Sequence, residues 1–168
     1  LGGLGVLNLE GIFTRYEDAE DQLERIAQLA GDEATREMQA IYREPVKPEL
    51  MRRRIEEIKA SGVVTAASLT PQRVAEHIDL VLDAGLDILV IQGTVVSAEH
   101  VSKTSEPLNL KEFIAALPVP VIVGGCASYH TGLHLMRTGA AGVLVGVGPG
   151  AACTTRGVLG LGVPQATA

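Results

Sequence analysis

Residues 119–146, Val-Pro-Val-Ile-Val-Gly-Gly-Cys-Ala-Ser-Tyr-His-Thr-Gly-Leu-His-Leu-Met-Arg-Thr-Gly-Ala-Ala-Gly-Val-Leu-Val-Gly, carry the signature of the architecture. They hold two short apolar runs, Val119–Val123 and Ala141–Val145, which are rich in β-branched residues and barely alternate, as strands covered on both faces do. Between the runs, Ser128 is placed to cap a helix that Thr138-Gly139 closes. The segment reads as strand, helix, strand. Gly124-Gly125-Cys126 follows the first strand at its carboxyl end.

The same unit recurs upstream. Val63–Ala67 and Ile88–Ile91 are runs of the same texture, and Thr70-Pro71 supplies an N-cap and first-turn pair for a helix closing at Ala84-Gly85. The spacing of the four runs is that of right-handed βαβ units. A doubly wound sheet and a (β/α)8 barrel both fit this rhythm. The loops favour the barrel, because in that fold chemistry gathers at the carboxyl ends of the strands. The unusual residues fall there: Ala67-Ser68, Gln92-Gly93-Thr94, Gly124-Gly125-Cys126 and the run from Gly146 to Cys153. The expected fold is α/β, a partial (β/α)8 TIM barrel with roughly the first half to two thirds present, since a complete one takes about 250 residues.

Extra helices are expected near the N-terminus. Glu17–Ala30 carries Ala19, Leu23, Ile26, Ala27 and Ala30 at helical spacing, with Gly31 to end it. Asp32 is placed to cap a second helix reaching about Glu44 before Pro45, and a third spans Pro48–Ala60 with Leu50, Ile55 and Ile58 inward. Arg52-Arg53-Arg54, the sole basic run, reads as a solvated face or as ion-pair partners for Glu56 and Glu57. Leu1–Asn8, apolar and glycine-punctuated, reads as a strand-to-loop connection.

The composition, 46% hydrophobic and 20% charged, is that of a globular chain rather than a disordered one. A net charge of −6 offers no basic patch to a nucleic-acid backbone, so no nucleic-acid partner is expected. No run reaches the ~18 apolar residues of a membrane span, and no secretory signal is visible, so no membrane partner is expected either. Two cysteines without a disulfide framework suit a reducing, cytoplasmic location. The first residue is Leu rather than Met, and the chain is expected to be a piece of a longer protein.

The most specialised loop follows the last strand: Gly146-Val147-Gly148-Pro149-Gly150-Ala151-Ala152-Cys153-Thr154-Thr155-Arg156. Its alternating glycines and Pro149 permit a tight turn whose backbone N–H and C=O groups face something other than a neighbouring strand, as an ion site requires. Core cysteines sit inside apolar runs, whereas Cys153 stands before two hydroxyls and Arg156, whose charge favours a thiolate nucleophile. Cys126 reads as a packing or pocket-wall residue, on a strand end from which it can face the pocket. Gly146, Gly148 and Gly150 nearly match a dinucleotide fingerprint, but the spacing is wrong and no acidic ribose ligand follows, so a Rossmann turn is rejected. His77, His100, His130 and His134 form no metal-ligand set. His130 and His134 share a helix face without an HExxH-type glutamate and read as ordinary surface.

The run GVGPGAACTTR, followed by GLGVPQATA at Gly160–Ala168, resembles the catalytic cysteine loop of the IMP dehydrogenase/GMP reductase family. LGGLGVLN at the start, Ala84-Gly85-Leu86-Asp87 and Val123-Gly124-Gly125 extend the resemblance over most of the chain except about residues 14 to 60. Within the family it is most similar to the IMP dehydrogenase-like subgroup of cyanobacteria and actinobacteria that lacks the regulatory CBS domain pair. The resemblance implies one incomplete catalytic barrel domain over residues 1–168, no CBS domain, and a homo-oligomer, a tetramer, when full length. It implies oxidation of IMP to XMP with NAD through a covalent cysteine intermediate, a step of guanine nucleotide synthesis. The alternatives are a GMP reductase using NADPH and a non-catalytic purine-nucleotide-binding relative.

Roles follow from the resemblance position by position. Cys153 would attack purine C2, and the Thr155 hydroxyl would assist it. Gln92, Gly93, Thr94 and Gly146 would line the nicotinamide site. The carbonyls of Gly148, Gly150 and Cys153 would coordinate potassium, and Ala151 and Cys153 fall in the substrate site. Three positions depart from the family pattern: Ala151 replaces a phosphate-contacting Ser, Gln92 an Asp, and Cys126 an Asn.

Overall fold

The computed structural model describes residues 2–93 and 108–168. The chain gathers into two compact units, one formed by residues up to 67 together with 77–86, the other by 68–76 and 87–168.

The first unit contains β1 (Val6–Asn8), a 3-10 turn (Ile12–Thr14), α1 (Ala19–Ala27), α2 (Gly31–Ile41) and α3 (Pro48–Ala60). It also holds the start of β2 (Ala66–Leu69), beside β1, and most of α4 (Val74–Asp83). Ile12, Ala19 and Ile41 form a buried cluster with Phe13, Tyr16 and Ile26 packed around it. The turn beneath the cluster has its polar groups satisfied: Thr14 Oγ1 donates to Leu9 O at 2.8 Å, and Lys47 N to Thr14 O at 2.8 Å. Proline opens α3, where its missing N–H costs nothing. Leu50 and Ile55 are buried as the spacing predicts, Met51 joins them, and Ile58 is half-buried.

The arginine run is wired into this unit. Arg54 donates to the carbonyls of Phe13 and Glu17, both at 3.2 Å, and to Glu57 at 2.9 Å. Arg53 pairs with Glu57 and Glu17, and Arg52 approaches Glu56 and Asp83 at 3.9 Å. The ion-pair reading therefore holds.

Several boundaries differ from their predicted places; α1, for one, is Ala19–Ala27 and so shorter than Glu17–Ala30 at both ends. α2 begins at Gly31, which takes a φ of +54°, with Ala30 at the N-cap position and no side-chain cap. Asp32 and Glu33 instead lie in the first turn, where negative charge favours the helix N-terminus. β2 begins at Ala66 rather than Val63. Gly62, at φ +76°, turns the chain out of α3 and leaves Val63 and Val64 57% and 54% exposed, whereas Ala66 to Leu69 are all buried. The β-branched pair marks the approach, and small residues form the strand. α4 begins at Val74, after a turn in which Thr70 O accepts the amides of Arg73 and Val74.

The second unit carries the end of β2, then β3 (Ile88–Gln92), α5 (Leu110–Ala116), β4 (Val121–Cys126), α6 (Tyr129–Met136), β5 (Gly142–Val145) and α7 (Thr155–Leu159). β4 starts at Val121 rather than Val119 because Pro120 has no N–H to give the ladder. Its carbonyl still accepts from Leu89 N at 3.1 Å. The Ser128 side chain caps α6, accepting from Thr131 N at 3.2 Å, and Asn109 caps α5 in the same way.

The strands β2 to β5 lie side by side in chain order, with β3–β4 and β4–β5 parallel. A doubly wound sheet needs a point where strand order reverses, and none occurs in this series. The fold is α/β, a partial (β/α)8 barrel.

Gly124 is where the parallel wall is tightest. A Cβ there would lie 2.5 Å from Leu144 Cβ and 2.7 Å from the Leu144 carbonyl oxygen. Gly124→Ala is expected to destabilise the protein by about 1–3 kcal/mol, the cost of overpacking a site that cannot give. Gly142→Ala, whose Cβ would meet Ile122 at an ordinary 3.4 Å, should shift stability by no more than about 1 kcal/mol. Urea denaturation of the two variants checks the contrast.

Candidate active site

The carboxyl ends of β3, β4 and β5 are stitched together by backbone bonds just past their regular ladders. Gly93 N donates to Gly124 O at 2.9 Å, Gly125 N to Gly93 O at 3.2 Å, and Gly146 N to Cys126 O at 2.7 Å. Between β4 and β5 the register slips: Gly124 faces Leu144, but Cys126 faces Val145, so Gly125 is the extra residue of a bulge. Gln92 and Gly93, Gly125, and Leu144 to Gly146 thereby come to line one cavity of about 470 Å³.

The loop after β5 supplies the rest of that cavity's lining. Val147 and Val163 exchange backbone hydrogen bonds of 2.9 and 2.7 Å, an antiparallel bridge that returns the chain to its starting point. Val163 lies outside the named strands, so the Val147 groups meet a returning loop segment. The glycines serve as seats for side chains. A Cβ on Gly148 would lie 3.0 Å from Thr155 Cβ, and one on Gly146, itself at φ +106°, would lie 3.1 Å from Gln165 Cγ. At Gly162 the clash is more severe, because the Arg156 stem occupies that space with its Cγ 1.9 Å away.

Cys153 is exposed and lines the cavity, and its Sγ lies 3.2 Å from Thr155 Oγ1. Its thiol pKa is held below the ordinary value, first by the Thr155 hydroxyl, then by the Thr155 backbone N–H, with the charge of Arg156 contributing less. The sequence offered both the hydroxyls and Arg156; the Thr155 hydroxyl has the larger effect, because it touches the sulfur. Thr155 also opens α7, a helix the glycine-rich pattern did not announce, which Gly160 ends at φ +66°.

Of the residues singled out in the sequence, Gln92, Gly93, Gly146, Gly148, Cys153 and Thr155 line the cavity together. Gly150 and Ala151 are exposed and lie outside the lining, and the Gly150 carbonyl accepts the Cys153 amide at 3.1 Å. Thr94 lies outside the described residues. The lining also includes Gly125, Leu144, Val145, Pro149 and Gln165. Of these, Gln165 was legible only as part of the GLGVPQATA motif.

Cys126 does not face this cavity, contrary to the expectation that it could. Neighbouring strand residues point to opposite faces, and with Gly125 in the lining, Cys126 packs toward α6. Its Sγ is 3.8 Å from where a Cβ on Gly132 would stand. Burial pushes that thiol up, so it is the inert member of the pair. Among the described residues, no group of three or more His, Cys, Asp or Glu side chains gathers to hold a metal ion, and no helix is long and apolar enough to cross a membrane.

The contrast between the thiols is measurable. The pH profile of iodoacetamide reaction at Cys153 should have its midpoint below the ordinary thiol value. Thr155→Val should move it upward by more than Arg156→Ala does, and Cys126 should react only on denaturation. Peptide mapping of the alkylated protein at a series of pH values checks all three expectations.

Residues 1–168 match the IMP dehydrogenase / GMP reductase domain family. The chain is 46% identical to an uncharacterized oxidoreductase of Mycolicibacterium smegmatis and 45% identical to one of Mycobacterium tuberculosis, in each case over all of this chain and 46% of the relative. It is also 38% identical to the inosine-5'-monophosphate dehydrogenase of Cryptosporidium parvum over 55% of this chain and 22% of that protein. A crystal structure of an IMP dehydrogenase/GMP reductase-like protein from Corynebacterium glutamicum superposes with a TM-score of 0.88 at 43% identity, covering 99% of this chain and 44% of that one. The chain thus spans about half the length of these bacterial relatives. With a matching domain along its whole length and a matching fold at this identity, the chain belongs to the IMP dehydrogenase / GMP reductase family.

Proposed function

We propose that the protein is an oxidoreductase that converts IMP to XMP with NAD, using Cys153 as nucleophile. The observation that carries this reading is the exposed Cys153 sulfur, with Thr155 Oγ1 3.2 Å away, in a cavity large enough for a purine ring and a nicotinamide edge. The ionised sulfur of Cys153 adds to C2 of the hypoxanthine ring. NAD, when bound, accepts the hydride that leaves C2. Cys153 then holds the purine as a thioimidate. Water adds to C2, the C–S bond breaks, XMP departs and the thiolate is restored with release of one proton. One hard substitution becomes two easier steps.

The chain's own groups have distinct parts in this scheme. Thr155 stabilises the thiolate by hydrogen bonding, which raises the fraction of sulfur ready to attack near neutral pH. Gln92, Gly93 and Gly146 form the wall against which the nicotinamide would lie, and Ala151, on the exposed part of the loop, would meet the substrate from outside the lining. The backbone oxygens of Gly148, Gly150 and Cys153 fit a monovalent cation such as potassium, because they are neutral donors. The Gly150 oxygen keeps one lone pair after accepting the Cys153 amide.

Two tests follow. Cys153→Ala should abolish IMP-dependent NADH formation while leaving IMP affinity within a few-fold, since a nucleophile contributes mainly to the transition state. In the unsubstituted protein, 6-chloro-IMP should leave its adduct on Cys153. An adduct on Cys126, or turnover of GMP with NADPH and none of IMP with NAD, would overturn the assignment. Replacing sodium by potassium at fixed ionic strength should raise the rate; equal rates in both salts would remove the cation from the scheme.

A further inference from the structure

We propose that Gln165 is a specificity-determining residue of this cavity, its side-chain carboxamide pairing with a planar amide edge, an N–H beside a C=O, on the bound ligand. Gln165 lines the cavity together with Cys153 and Thr155. Its stem crosses Gly146, where any side chain would displace it. The backbone that launches it is fixed on both sides. Val163 is bridged to Val147, and the Pro164 carbonyl accepts both the backbone N–H and the hydroxyl of Thr167 at 3.1 Å. With the base already fixed, binding has to order only the side chain and not the backbone that carries it.

The chemistry of the lining narrows what it can read. Among the described residues of the lining, the polar side chains are Gln92, Cys153, Thr155 and Gln165, and none carries a carboxylate, ammonium or guanidinium. A carboxamide offers a donor and an acceptor side by side, which matches a neutral amide edge and rejects a ligand lacking either half. Resting on the function proposed above, two groups have that edge: the N1–H and 6-oxo lactam of hypoxanthine, and the carboxamide of nicotinamide.

Binding to the full chain carrying Cys153→Ala, which prevents turnover, tests the inference with two ligand pairs. IMP is compared with purine riboside 5'-monophosphate, which lacks the lactam; NAD is compared with 3-acetylpyridine adenine dinucleotide, which lacks the amide N–H. Gln165→Leu should weaken the amide-bearing member of one pair by roughly ten-fold, about the size of a lost neutral hydrogen-bond pair, and leave its analogue unchanged. Collapse of the IMP ratio assigns the contact to the purine, and collapse of the NAD ratio assigns it to the nicotinamide. Gln165→Glu, which keeps an acceptor and loses the donor, should disfavour the same member. Ratios unchanged in both variants, or equal weakening of all four ligands, would overturn the inference alone. Binding of none of the four by the parent chain would overturn it together with the proposed function.

Discussion

Thr155 can stand beside Cys153 only because Gly148 has no side chain. With 3.0 Å between the Thr155 Cβ and the place a Cβ would take, the smallest substitution at Gly148 pushes the hydroxyl away from the sulfur it touches. Gly148 also sits at φ +54°, which a side chain tolerates poorly. The contact that lowers the thiol pKa is thus packed directly against Gly148. Gly146 under Gln165 and Gly162 under Arg156 repeat the device. Glycine in this loop exchanges backbone freedom for close packing of functional side chains against the main chain.

The sheet prepares the site by a smaller displacement. At the bulged end of β4, Gly125 contributes to the cavity wall, and the next residue, Cys126, packs against the helix layer. Two cysteines in one small unit thus acquire opposite characters from geometry alone. One is buried with its thiol pushed up, and the other is exposed with its thiol held down.

Much of this was legible before any coordinates. The parallel strands at Ile88–Gln92 and Gly142–Val145 show as short unbroken apolar runs, and Ser128 announces α6 because a side-chain cap is a local interaction. Cys153 was found because its surroundings are unlike a core. The failures came where backbone conformation or tertiary packing overrode residue propensity. Val63 and Val64 look like a strand until Gly62 turns them outward, while Ala66 and Ala67, unremarkable in propensity, become the strand through burial. Gln165 became visible only when the Val147–Val163 bridge brought its segment back over Gly146. Arg156, adjacent to the hydroxyls in sequence, directs its stem across Gly162 instead of dominating the thiol.

That bridge also gives the loop a free energy of its own. Its two hydrogen bonds clasp the segment that carries Cys153 and Thr155, while the strands behind it are held by longer parallel ladders. Native proteins open in pieces, and a segment held by few bonds opens far more often than the sheet that anchors it. By that measure the loop that carries the nucleophile is a weaker cooperative unit than the sheet behind it.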